Sequence, residues 1–136
     1  MDKENLKAKS SIIKDKRLHN ESMLTFDLPI LIEKMKNKQA WAKKELNTIF
    51  LLKTPEKQIV LAALHEGTKI NSFKPYDSIT FQIIEGKLKF HTQNESVTLY
   101  KGQLLTLNEN VKYSLTTKEE AVFLITIANG KLQRAE

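Results

Sequence analysis

From residue 46 onward the apolar positions come in short blocks of strand length, separated by turn residues. The blocks cover residues 47–53, 58–65, 69–74, 79–85, 87–92, 97–100, 104–107, 111–117 and 121–128. Between them stand Pro55, Gly67, the bend at 75–78, Glu85-Gly86, the 93–95 turn, Gly102, Asn108 with Asn110, and the charged 118–120 turn. The fourth block alternates: Ile79, Phe81 and Ile83 share one face, and Thr80, Gln82 and Ile84 the other. In the next block Leu88 and Phe90 point one way, and Lys87, Lys89 and His91 the other, which predicts a half-buried hairpin with a basic outer face. About nine short strands at this spacing predict an all-β sandwich or barrel.

One helix is expected ahead of the strands. Leu28, Leu31, Ile32 and Met35 fall at i, i+3, i+4 and i+7 and make one apolar stripe. Asp27 is placed to cap the helix, Pro29 fits its first turn, and Asn37 stops it. Trp41 follows as an apolar anchor that seats this segment. The expected organisation is a mobile arm over 1–22, the helix and Trp41 segment over 23–45, a barrel over 46–128 and a polar tail over 129–136.

Composition narrows the functional classes. The 136 residues are one domain's worth of chain, and 40% apolar residues support one modest core. No apolar run approaches the length of a membrane span, and no signal peptide is expected. With zero Cys there is no disulfide framework, thiolate metal site or Cys nucleophile, and a cytoplasmic location is the default. The net charge is +6, yet Arg occurs only at Arg17 and Arg134. Forked contacts to phosphate and guanine favour Arg, so a nucleic-acid partner is not expected. A further reading is nucleic-acid or regulatory binding through the denser lysines at 34–57 (Lys34, Lys36, Lys38, Lys43, Lys44, Lys53, Lys57), which would require a contiguous basic face and steep salt dependence. The three histidines, His19, His65 and His91, show no ligand-pair spacing. No Gly-rich phosphate loop is present, and Ser72 and Ser78 are single hydroxyls with turn chemistry.

The glycines over 67–117 carry a resemblance. Gly67 and Gly86 stand at the ends of a motif that in the cupins runs Gly, five residues, His-x-His, then Glu and a closing Gly. Gly102 opens the spacing of the second cupin motif, which continues through Asn108, Asn110, Tyr113 and Thr117. Over 46–128 the chain resembles a small single-domain cupin, which implies a jelly-roll β-barrel with one short N-terminal helix. The ligand positions depart from the family pattern: Phe73 and Pro75 stand where the two histidines belong, Ile79 where Glu belongs, and Tyr113 at the last His. Phe, Pro and Ile offer no donor to a divalent ion, so no metal and no other cofactor is expected.

On the family alignment Phe73, Ile79, Phe81, Ile83, Leu88, Phe90 and Tyr113 project into the lumen. Either they fill it as a packed core, or they line a small apolar pocket with Tyr113 and Gln82 or Thr106 as polar anchors. The leading expectation is a metal-free, non-enzymatic module that binds a small, partly apolar molecule at Phe73, Ile79, Phe81, Gln82, Phe90 and Tyr113, or that serves in association. The alternative is a metal-dependent enzyme of dioxygenase or isomerase type with unmatched ligands such as His65 and Tyr113. It requires two or more of His65, Glu66, His91 and Tyr113 within about 4 Å of one point. The resemblance also implies a homodimer formed through outer sheets.

Overall fold

The structure is a computed structural model, and it describes residues 22–37, 46–71, 78–108 and 110–128. The element order is α1 (Leu28–Lys36), β1 (Leu46–Lys53), β2 (Lys57–Leu64), β3 (Lys69–Asn71), β4 (Ser78–Glu85), β5 (Lys87–His91), β6 (Ser96–Tyr100), β7 (Leu104–Leu107), β8 (Ser114–Thr116) and β9 (Ala121–Ala128). The expected strands are all present, with β8 shorter than the expected 111–117: Asn110 takes a left-handed φ of 70° and the ladder begins only at Ser114. Trp41, Phe73, Pro75, His19, Arg17, Arg134, most of the N-terminal arm and the C-terminal tail lie outside the described residues.

The strands form two antiparallel sheets, ordered β1-β2-β9-β4-β7 and β3-β8-β5-β6. This is a jelly roll, with the inner faces of both sheets closing on one apolar cluster. Strand alternation decides its membership. In β4, Ile79, Phe81 and Ile83 point in; in β5, Leu88 and Phe90; in β9, Phe123, Ile125 and Ile127. Burial of these side chains from both sheets is the main force holding the sandwich.

A second apolar cluster lies on the outer face of the five-stranded sheet, under α1. Asp27 caps the helix, its carboxylate accepting from the Ile30 N–H at 3.2 Å, with Pro29 in the first turn and Asn37 at the end. Ile32 and Met35 are buried against Ile49, Leu51, Leu61 and Val122. The ladders bulge at two places, around Leu51 in β1 and Ile84 in β4, and both side chains join this cluster. An extra residue in a strand re-aims its side chain, which here turns apolar groups toward the helix.

The two sheets are joined at Gly86, the single residue between β4 and β5. Gly86 has φ 76°, and a Cβ there would run into the Glu120 carbonyl oxygen. Both the left-handed backbone and the close approach require glycine.

Candidate functional site

The glycines of the two motifs take the conformations that the cupin spacing implies. Gly67, Gly86 and Gly102 all have positive φ, and Asn110 adopts the left-handed region at the position where the second motif places a glycine. Between these corners lies the space in which a cupin site would be built, and the residues there are apolar. Ile79 is 1% exposed and Tyr113 5%. Phe81 is fully buried, with its ring centroid 4.7 Å from Phe90, 5.7 Å from Tyr113 and 6.1 Å from Phe123. The first two pairs are edge-on, the arrangement aromatic quadrupoles favour.

Of the expected lumen residues, then, Ile79, Phe81, Phe90 and Tyr113 are brought together, and Phe73 lies outside the described residues. Gln82 is a correction. It is exposed on the outer face of β4, because the alternation that sends Phe81 and Ile83 inward sends Gln82 outward. Thr106 is also on that outer face, hydrogen-bonded to the Thr80 hydroxyl at 3.1 Å.

The histidines go to different surfaces. His91 sits on the outer face of the four-stranded sheet, with Nδ1 2.9 Å from the Ser96 hydroxyl and Nε2 3.5 Å from that of Thr116. His65 follows β2 at one end of the sandwich, its Nδ1 4.0 Å from a Glu120 carboxylate oxygen. Tyr113 lies against Phe81 in the core. Among the described residues no three His, Asp or Glu side chains gather as a metal site. The donor set therefore does not fit the metal of the cupin pattern: Ile79 offers no donor at the Glu position, and a single phenol remains at Tyr113.

Near His65 the same end of the molecule carries an ionic cluster. Lys36 Nζ, at the end of α1, is 3.2 Å from Glu85 Oε1 and 3.3 Å from Glu120 Oε1. Burial by itself would lower the Lys36 pKa, but the hydrogen bonds and charges of Glu85 and Glu120 outweigh it and raise the value above its ordinary 10.5. This cluster fastens the helix to the β4–β5 joint.

Sequence reasoning placed a basic surface at 34–57. Lys36 of that stretch is paired with carboxylates, and Lys38, Lys43 and Lys44 lie outside the described residues. The lysines that line up do so across strands: Lys69 and Lys89 each stand opposite Thr116, and Lys87 is next along β5. The signal for half of this surface was the Lys87, Lys89, His91 alternation; its connection to Lys69 is non-local.

No family model matches the sequence, and a search of curated proteins gives no match. Solved structures do resemble it. The cupin domain of Schizosaccharomyces pombe Cnp3 is 18% identical with a TM-score of 0.61, the alignment covering 68% of this chain and 66% of that one. The fold is a cupin fold. A Klebsiella pneumoniae protein with a double-stranded β-helix domain is 18% identical at TM-score 0.63, covering 80% of this chain and 92% of that one. The Clostridium difficile EutQ protein is 14% identical at TM-score 0.65, covering 82% and 84%. At such identities the cupin likeness establishes architecture alone. Among the described residues no helix is long and apolar enough to cross a membrane.

Proposed function

We propose that this chain is a cupin-fold association module that uses its barrel as a packed scaffold, holds no metal and works through its outer surfaces. The observation that carries this reading is the surroundings of Phe81: a fully buried ring among Phe90, Tyr113 and Phe123, with Ile79 where the family places a carboxylate. A side-chain-filled interior gives a small molecule no entry and a divalent ion no ligands.

A second copy of the chain is its first partner, and electrostatics selects the surface. Two copies each carrying +6 repel, so they approach where charge is absent. The outward positions of β7 and β9 carry no charged residue, β4 carries one, Glu85, which is paired with Lys36, and Leu104 of β7 is 58% exposed. Sedimentation of the full chain tests this: a dimer is expected, and Leu104→Lys should shift it to monomer with the melting temperature preserved. A monomeric wild-type chain would sink the pairing. Metal analysis of untagged protein tests the rest, with melting curves in zinc, manganese, iron and nickel. No metal and no shift are expected. Near-stoichiometric metal, or a concentration-dependent rise in melting temperature, would instead favour a metal-dependent enzyme, with His65 and Tyr113 as the first ligands to examine.

A further inference from the structure

We infer that the outer face of the four-stranded sheet binds single-stranded nucleic acid through its phosphates, without reading base sequence. The strand register assembles the surface. Lys69 and Lys89 flank Thr116 across β3, β8 and β5, and Lys87 lies two residues from Lys89 on the same face. Strand geometry spaces Lys87 and Lys89 about 7 Å apart along the chain, and sets Lys69 about 10 Å away across β8. No carboxylate occupies an outward strand position of this sheet, and none of the three lysines is in an ion pair among the described residues. The charge is therefore uncompensated where it stands, unlike that of Lys36.

Two further features favour a nucleic acid over an acidic protein segment. Tyr100, at the end of the lysine row, is 53% exposed, and its ring lies under Lys87 Nζ at 5.9 Å from the centroid. An exposed aromatic ring beside cations on an open sheet is a stacking platform for an unpaired base. Ser96 and Thr116 add hydroxyl donors on the same face, with His91 held between them. The scarcity of Arg excludes forked guanine contacts but leaves phosphate contacts, which Lys makes as a point charge. A four-stranded sheet face also accepts an extended strand more readily than it enters a duplex groove.

The test is fluorescence anisotropy of a labelled oligo-dT probe with the full chain. Three phosphate contacts predict that raising salt from about 50 to 200 mM weakens binding about 20-fold. The triple variant Lys69→Gln/Lys87→Gln/Lys89→Gln should lose most of the binding and flatten the logarithmic salt slope by about 2. Tyr100→Ala should weaken binding about fivefold or more. A charge-matched control, Lys34→Gln/Lys53→Gln/Lys57→Gln, should bind nearly as the wild type does. All these positions are on the surface, so matching melting curves establish that the variants fold. An equal loss in the control triple would overturn the inference, because net charge alone would then explain binding. So would absent oligo-dT binding, duplex bound as tightly with Tyr100→Ala silent, or displacement by poly-glutamate as effective as by unlabelled oligo-dT. Sedimentation of the same variants reports pairing separately, so failure here leaves the association reading standing or falling on its own result.

Discussion

On the five-stranded sheet one outward row reads Thr106, Thr80, Thr126, Ile59 from edge to interior; on the four-stranded sheet a row reads Lys69, Thr116, Lys89, Thr98. The inward rows of the two sheets are alike in character, mostly apolar and contributing to one shared cluster. The outward rows are not. The first sheet covers part of its outer face with α1, and its β7 and β9 carry no charge in their outward positions. Among the described residues no helix covers the second, and its lysines have no carboxylate partner. The core requirement fixes every second residue of each strand and leaves the alternate residues free to differ. On the reading proposed above, the outward positions carry partner choice, with a second copy of the chain at the less charged face and an anion at the basic one.

That comparison presupposes a closed interior between the faces, and Phe81→Ala breaks it most severely. Removing a fully buried ring with three aromatic neighbours should cost about 3–5 kcal/mol, read from urea unfolding. A loss nearer 1 kcal/mol would mean that the rings enclose open space, and a ligand-binding lumen would regain its place.

The next effect separates the two outer faces. Met35 of α1 is buried against the first sheet, and no helix among the described residues covers the second. Met35→Ala should destabilise by about 2 kcal/mol, the low end for a buried methionine, because the helix packs from one side only. Hydrogen exchange should rise in β1 and β2 and stay unchanged in β5 and β6. Equal rises in both sheets would show that the helix stabilises the whole sandwich rather than one face.

Much of this architecture is legible in the chain, for identifiable reasons. Strand blocks follow from alternation and from corners that need positive φ, as at Gly67, Gly86 and Gly102. The helix follows from its cap and its stripe, and the missing metal donors from Ile79 and Tyr113 standing at ligand spacing. A small-ligand site needs a polar anchor, but the alternation of β4 puts Gln82 on the face opposite Phe81 and so outside the lumen. The placement of β9 between β2 and β4, and of β8 between β3 and β5, has no local signal. That is why Lys69 and Lys89, distant in sequence, flank Thr116 only in the structure, whereas the dense run at 34–57 is visible in the chain itself.

The joint between the sheets sharpens the comparison further. Gly86→Ala puts a side chain at φ 76° against the Glu120 carbonyl. A cost of about 1–3 kcal/mol is expected, without loss of either outer surface. Oligo-dT binding and dimerisation at low temperature should persist together; loss of one alone would show that the joint sets the geometry of that face.

The smallest expected effect distinguishes two kinds of lysine. Lys36 fastens the covered face to the joint through Glu85 and Glu120, whereas Lys89 on the second sheet has no carboxylate partner among the described residues. Because the folded-state pKa of Lys36 is raised above 10.5, its stabilisation is fully present below that value and is lost as pH rises through the folded pKa. Lys36→Met should cost under about 1 kcal/mol at neutral pH, since the side chain is still 28% exposed and solvent screens the pair. Unfolding free energies of wild type and variant should converge on passing above pH 10.5. A constant gap between wild type and Lys36→Met across that range would assign the effect to the packing of the lysine's methylene stem instead of its charge. The two lysines would then differ in burial alone, and the ionic half of the contrast between the faces would fall.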